Sequence, residues 1–232
     1  MKIENPEKRL GKFFGKVDQK HIEIIASHVF GDKVLDLGAG YGTTTNYITQ
    51  VLGKECVAID LDDISIDVAK KINKDINYLK VNAEDLPFED GHFDTLVLRD
   101  ALHHFLGEAN YDKVAAELFR VLRPGGRMIF FDPNVNFMLK TLRKISNHDD
   151  EECDYETALS LLHKDKYKII HKSFNTIYSV PLSGGYVGVN FVPNVTLFHK
   201  MILGSERFFE KMMQNRLGRS FCWRYTIVAE KI

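Results

Sequence analysis

The apolar residues of the chain follow two spacings that alternate along its first half. Short apolar runs typical of buried strands occur at residues 33–37, 55–59, 77–81, 93–98 and 127–131. Between them, apolar residues recur every three or four positions, which is the period of an amphipathic helix. The alternation of strands and helices predicts an α/β fold.

The apolar faces of four helices can be read directly from this spacing. They are Ile22, Ile25, Ala26 and Val29; Tyr47, Ile48, Val51 and Leu52; Ile64, Val68, Ala69 and Ile72; and Tyr111, Val114, Ala115, Leu118, Phe119 and Leu122. Towards the end of the chain, the pattern predicts a helix broken near Gly204, followed by a last strand at residues 220–231.

Three glycines, Gly38, Gly40 and Gly42, follow the first strand at every second position. Glycine permits a tight turn and lets a ligand lie against bare backbone. The third glycine comes one residue too early for the dinucleotide-binding pattern. Asp36, just before the turn, disfavours a pyrophosphate and suits a ligand that carries an ammonium and a sulfonium group. Asp60 ends the second strand, where an acidic residue accepts hydrogen bonds from ribose hydroxyls.

Four ordered motifs carry a resemblance to a known family. They read VLDLGAG at residues 34–40, NAEDLPF at 82–88, FDTLVL at 93–98 and LFRVLRPGG at 118–126. Together they resemble the class I S-adenosylmethionine-dependent methyltransferases, and more narrowly the small-molecule branch that includes the quinone C-methyltransferases. The resemblance implies an α/β fold with a doubly wound, seven-stranded Rossmann-like sheet, mostly parallel with an antiparallel last strand.

The resemblance also implies S-adenosyl-L-methionine as the cofactor. Asn82 and Ala83 match the positions that hold the adenine ring. Arg99 matches a position that contacts the cofactor, often through its backbone, although its guanidinium could instead face the substrate. The cofactor-binding residues implied in this way are Asp36, Gly38, Gly40, Tyr41, Asp60, Leu61, Asn82, Ala83 and Arg99.

Methyl transfer by in-line displacement needs mainly a well-placed acceptor, because the sulfonium methyl is already activated. His103 and His104 follow the fourth strand and are the candidates for a catalytic base. The alternative is that these two rings are packed and hydrogen-bonded to backbone. No spacing in the sequence indicates a metal site. Two other classes stay open: a non-catalytic cofactor-binding module that serves a partner, and a nucleotide-dependent oxidoreductase.

The segment 177–193 suggests an apolar or lipid-like acceptor. Its glycines and prolines argue against a regular helix, yet its side chains are too apolar for an ordinary loop. It suits a lid over a hydrophobic pocket, although it could instead pack against the C-terminal helix or form a homodimer contact. The basic stretch at residues 140–144 could bind an acidic head group or rest peripherally on an anionic membrane. Phe13 and Phe14 either fold over the cofactor or anchor the first helix.

Length and charge agree with this interpretation. The 232 residues support one methyltransferase domain, with an N-terminal helical segment at 1–30 and lid or substrate segments at about 134–165 and 174–218. A net charge of −1 gives no electrostatic reason to expect a nucleic-acid partner. The scattered Cys56, Cys153 and Cys222 predict reduced thiols, and the charged N-terminus carries no signal peptide, so we expect a cytoplasmic protein with a small-molecule substrate.

Overall fold

A computed structural model describes residues 11–102, 111–136, 139–140, 155–184 and 190–232, with residues 216 and 217 described by their backbone alone. The helices and strands of these residues follow the predicted alternation. In chain order they are α1 Lys12–Ala26, β1 Lys33–Leu37, α2 Thr43–Gln50, β2 Glu55–Asp60, α3 Asp63–Ile72, β3 Asn77–Lys80, β4 Phe93–Arg99, α4 Tyr111–Val121, β5 Leu122–Pro133, α5 Tyr155–Ser160, β6 Tyr167–Asn175, α6 Ser179–Leu182, α7 Thr196–Met212, α8 Arg216–Phe221 and β7 Arg224–Lys231.

The strands form a seven-stranded sheet in the order β3-β2-β1-β4-β5-β7-β6. The pairs β1–β2, β2–β3, β1–β4 and β4–β5 are parallel, and β7 runs antiparallel to both of its neighbours. The chain moves outward from β1 to β3 and then returns to place β4 on the other side of β1. The predicted doubly wound α/β sheet with an antiparallel last strand is therefore confirmed.

The described residues divide into two compact units. The sheet unit contains residues 24–102, 111–132, 155–172 and 226–232, and the helical unit contains residues 11–23, 133–136, 139–140, 173–184 and 190–225. The division does not test the prediction of one methyltransferase domain with lid segments, which stays a prediction.

The sheet unit has its core on the strands. Val34 of β1, Val97 of β4 and Ile129 of β5 are fully buried and pack with Ile25 and Ile48. Burial on both faces explains why these strands read as continuous apolar runs rather than as alternating ones.

The helical unit has a separate apolar cluster. Phe13 is 1% exposed and packs with Val17, Leu139, Val180 and Trp223. Phe13 thus anchors α1, as one of the two sequence interpretations predicted. Cys222 of this unit and Cys56 of the sheet unit are buried free thiols.

Several details of the sequence-based prediction were wrong. The last strand was predicted from residue 220 but begins at Arg224, and Leu122, predicted on a helix, begins β5. The helix α7 runs without a break through Gly204. Ile64 and Ile72 of α3 are exposed, whereas Ala69 is buried as predicted and Ile66 is buried beside it. Val51, predicted on the buried face of α2, is 61% exposed because the helix ends one residue before it.

Candidate functional site

The carboxyl ends of β1, β2 and β4 meet at one edge of the sheet. Leu37, the last residue of β1, lies in register with Ile59 of β2 and Leu98 of β4. Residues that follow these positions in the chain are thereby brought together. In doubly wound sheets, ligands bind at this edge where the strand order reverses, and here the reversal falls between β1 and β4.

The glycine turn after β1 has positive φ angles of 66° at Gly38, 52° at Gly40 and 74° at Gly42. A Cβ atom at Gly42 would come within 2.2 Å of the Tyr78 hydroxyl, and one at Gly38 within 2.7 Å of a neighbouring methyl group. A Cβ atom at Gly40 would meet nothing within 4 Å. Gly38 and Gly42 therefore serve packing, whereas Gly40 presents open backbone.

Asp60 holds the turn from the neighbouring strand. Its Oδ2 accepts a 2.7 Å hydrogen bond from the Gly40 N–H, and its Oδ1 accepts a 2.9 Å bond from the Asp62 N–H. The carboxylate is half-buried. Because each carboxylate oxygen offers two lone pairs, both oxygens can still accept a hydrogen bond from a ligand hydroxyl.

Asp36 lies beneath the turn rather than beside it. Its side chain is 1% exposed, and its Oδ2 accepts a 2.6 Å hydrogen bond from the Thr45 hydroxyl. Burial raises the pKa of Asp36 to about 6, while the Thr45 hydrogen bond and the nearby Arg99 charge lower it. The predicted interaction of Asp36 with a cationic ligand would thus act through the field of a buried charge.

Arg99, the last residue of β4, turns towards the glycine turn. Its side chain is 13% exposed, and its Nη1 donates a 3.2 Å hydrogen bond to the Thr44 hydroxyl. Whether Arg99 contacts the cofactor or the substrate stays a prediction.

The remaining predicted cofactor residues differ in exposure. Tyr41 is half-buried in the turn, and Leu61 projects an apolar side chain that is 55% exposed. Asn82 is exposed, and its Oδ1 accepts a 3.0 Å hydrogen bond from the Glu84 N–H. The N–H groups of the Asn82 side chain take no part in this bond. Ala83 is 5% exposed, so a ligand would meet its backbone more readily than its methyl group.

Sequence reasoning missed the residues that support the turn from below. Thr44 and Thr45 are buried at the start of α2 and bind Arg99 and Asp36. The run of three threonines after the glycines was the available signal, because hydroxyl side chains at a helix start commonly bond to nearby polar groups. Tyr78 packs against Gly42, and burial raises the pKa of its hydroxyl to about 12, so it stays neutral.

Several predictions concern residues outside the described ranges. His103 and His104, the candidate bases, lie there, as do Tyr186 and most of the basic stretch 140–144. Among the described residues, no group of three or more His, Cys, Asp or Glu side chains has the arrangement of a metal site.

The chain is similar to known methyltransferases in both sequence and fold. A family described as a methyltransferase domain matches residues 35–130, from β1 to β5. A ubiquinone/menaquinone biosynthesis C-methyltransferase from Francisella philomiragia is 30% identical over 69% of this chain and 73% of its own, and the Psychromonas ingrahamii enzyme of that name is 28% identical over the same shares. A solved geranyl diphosphate C-methyltransferase from Streptomyces coelicolor, in complex with S-adenosyl-L-homocysteine, has a TM-score of 0.69 at 14% identity and covers all of this chain and 83% of its own.

Proposed function

The chain belongs to the class I S-adenosylmethionine-dependent methyltransferases, and from this membership we propose that it methylates a carbon atom of a small, predominantly apolar acceptor. Its cofactor is S-adenosylmethionine, and its substrate is a small molecule. The choice of carbon is supported by the relatives, since the two sequence relatives above are named C-methyltransferases.

The residues at the carboxyl edge fit the cofactor. The bond from the Gly40 N–H to Asp60 carries the assignment, because it fixes a hydrogen-bond acceptor for ribose next to open backbone. The exposed Leu61 side chain directly after Asp60 offers an apolar surface to an adenine ring. A dinucleotide pyrophosphate is disfavoured at this turn by the charge of Asp36, which lies buried next to it.

The proposed cofactor-binding residues have separate roles. Bound S-adenosylmethionine supplies an activated methyl group on a sulfonium. Asp60 accepts ribose hydroxyls, and Gly38, Gly40 and Tyr41 line the cofactor with the turn. Asn82 and the Ala83 backbone hold the polar edge of adenine. Asp36 and Arg99 set the charge beneath the turn: the ionised Asp36 favours a cationic ligand, and Arg99 keeps that carboxylate ionised near neutral pH.

An apolar acceptor is supported by the composition of segment 177–193. Its described part is anchored at both ends, because Val180 and Val192 are buried in the cluster of the helical unit. Phe191 beside this anchor is 61% exposed and is free to contact an apolar molecule. Methylation of carbon also releases a proton, and His104 is our first choice for the base that accepts it, with His103 second.

The test is a methyl-transfer screen that compares quinones and phenols with amines, sugars and peptides, and that locates the new methyl group by NMR. We expect turnover of the apolar compounds, with a new carbon–methyl bond. Phe191→Ala and Tyr186→Ala should each raise KM for such an acceptor, and Phe221→Ala is the control, at a phenylalanine that is 46% exposed against 61% for Phe191. Turnover confined to polar acceptors, methylated at nitrogen or oxygen and unaffected by these variants, would contradict the proposal.

A further inference from the structure

The helix α7 exposes apolar side chains along one face. With 3.6 residues per turn, these side chains fall within an arc of about 120° and span most of a helix about 25 Å long. They are Leu197 (65% exposed), Phe198 (51%), Met201 (61%), Phe208 (62%), Phe209 (47%) and Met212 (63%). Gly204 and the exposed Ser205 separate the first three of these side chains from the last three. Single exposed apolar residues are ordinary, but six on one face of a helix mark an interaction surface. We refer to this row as the α7 face.

The opposite side of α7 is buried and charged. Glu206 and Glu210 are 0% and 8% exposed, and each accepts a 2.7 Å hydrogen bond from the ammonium of Lys20. Glu206 Oε1 also accepts the N–H groups of Ile177, Tyr178 and Ser179, each at 2.8 Å. These bonds fix the rotation of the helix about its axis. Because Glu206 and Glu210 are bound on the buried side, the apolar row on the opposite side of the helix faces outward.

The exposed charges of α7 are all basic. Lys200, Arg207 and Lys211 are exposed and lie together along one border of the α7 face. Arg207 is 3.5 Å from the carboxylate of Glu23 on α1, an exposed and weak pair. Both acids of α7 are buried, so this helix, all of which the structure describes, presents no exposed acidic side chain.

We propose that the α7 face docks in the plane of an anionic lipid surface. A row of Phe, Leu and Met bordered by Lys and Arg is the composition of helices that lie in the membrane interface. The aliphatic stems of Lys200 and Lys211 can extend along the apolar row while their ammonium groups reach lipid phosphates. No helix of the described residues is long and apolar enough to cross a membrane.

The charges favour a lipid surface over a second copy of the chain. A symmetric contact between two α7 faces would bury six large apolar side chains from each copy, but it would also bring two sets of basic residues together without exposed acids on α7 to pair with them. An anionic surface complements both the apolar row and the basic border.

The experiment is sedimentation of the full chain with vesicles, without cofactor or acceptor. Vesicles of phosphatidylcholine mixed with phosphatidylglycerol are compared with vesicles of phosphatidylcholine alone, at low and high salt. We expect binding to the anionic vesicles that weakens with salt. Phe198→Ser/Phe208→Ser and Lys200→Glu/Lys211→Glu should each lower the partition coefficient about tenfold or more.

The controls make the same kinds of substitution on α3, at one position each. Ile72→Ser replaces an apolar side chain that is 64% exposed on α3, and Lys71→Glu reverses an exposed charge on the same helix. Both should bind as the parent does, and thermal unfolding establishes that every variant is folded. The proposal is overturned if the parent chain does not bind anionic vesicles, or if both α7 double variants bind like the parent. It is also overturned if sedimentation equilibrium shows a dimer that Phe198→Ser/Phe208→Ser dissociates while vesicle binding is absent.

Discussion

The hydroxyl of Thr45, at the start of α2, donates a 2.6 Å hydrogen bond to the carboxylate of Asp36, the fourth residue of β1. This bond joins the strand before the glycine turn to the helix after it. The carboxylate is almost completely shielded from solvent, since Asp36 is 1% exposed. The electrostatics of the cofactor edge therefore depend on the protonation state of one buried acid.

The free energy of unfolding should depend on pH through the titration of Asp36. Its pKa rises from an ordinary value of 3.8 to about 6 on folding, mainly because burial disfavours the charged form. Below about pH 4 both folded and unfolded chains hold the proton, and between about pH 4 and 6 only the folded chain does. The free energy of unfolding, relative to that of Asp36→Asn, should therefore fall by about 3 kcal/mol as the pH rises through this window. Urea unfolding at several pH values measures it, and a constant difference between the two proteins would contradict the assignment.

Removal of the Asp60 carboxylate should weaken cofactor binding. Asp60→Ala removes an ionised acceptor of ribose hydrogen bonds and releases the Gly40 N–H, so we expect a loss of about 1.5–3 kcal/mol in titration calorimetry with S-adenosylmethionine. Asp62→Ala is the control, because Asp62 caps α3 through the Ile64 and Ser65 N–H groups. That variant should lose about 1 kcal/mol of stability and keep its affinity. Equal affinity losses in the two variants would contradict the role of Asp60.

A methyl group at Gly40 should obstruct the cofactor with little effect on packing. Gly40 has a φ of 52°, and the space next to it is open. Gly53, with a φ of 66° and equally open surroundings, is the matched control at the end of α2. Both alanine variants should lose about 1–2 kcal/mol of stability from left-handed backbone strain. Only Gly40→Ala should also weaken S-adenosylmethionine binding, by about tenfold or more, whereas the proposal fails if the two variants bind equally well.

Replacement of Lys20 should strongly destabilise the protein. Lys20→Met leaves the carboxylates of Glu206 and Glu210 buried without their shared ammonium, which costs about 3–5 kcal/mol in comparable buried pairs. The triple variant Lys20→Met/Glu206→Gln/Glu210→Gln removes both charges and should recover part of that loss. Chemical unfolding compares the two, and a loss below about 1 kcal/mol for Lys20→Met would show that the cluster is not tightly coupled.

The two candidate bases can be separated by kinetics. If His104 accepts the proton from the acceptor carbon, His104→Ala should lower kcat by about tenfold or more and leave cofactor affinity nearly unchanged. His103→Ala, at the adjacent ring, should have the smaller effect. A structural role for both would instead appear as a joint loss of thermal stability and cofactor affinity in each variant.

The glycine turn and the strands around it were predictable from the sequence because their signals are local. The five predicted strands of the parallel part all occur, and β1 has the predicted bounds. The burial of Asp36 was not predictable, since it depends on Thr45 approaching from a helix whose orientation is set by the whole sheet. The position of Asp36 in the motif identified it as a candidate site residue but did not indicate that it is buried.

The helix α7 was harder to predict because it reverses the usual relation between polarity and burial. Its phenylalanines are exposed, and Glu206 and Glu210 are buried. Apolar periodicity indicates a helix here, but the break predicted near Gly204 does not occur, and most of the large apolar side chains of the helix are exposed. The buried face becomes evident only when Lys20, far away in the sequence, is seen to bind both acids.

The contact of Lys20 with two glutamates lying 186 and 190 positions later in the chain also constrains how this lineage evolves. Replacement of Lys20 alone by a neutral residue leaves two buried acids without a counter-ion, so loss of the lysine is disfavoured while both acids remain. Among descendants of the same ancestor, the lysine and the two acids should be kept or lost as a set. Such concerted replacement, visible as covariation between the two ends of the chain, would be the historical trace of one buried ammonium group.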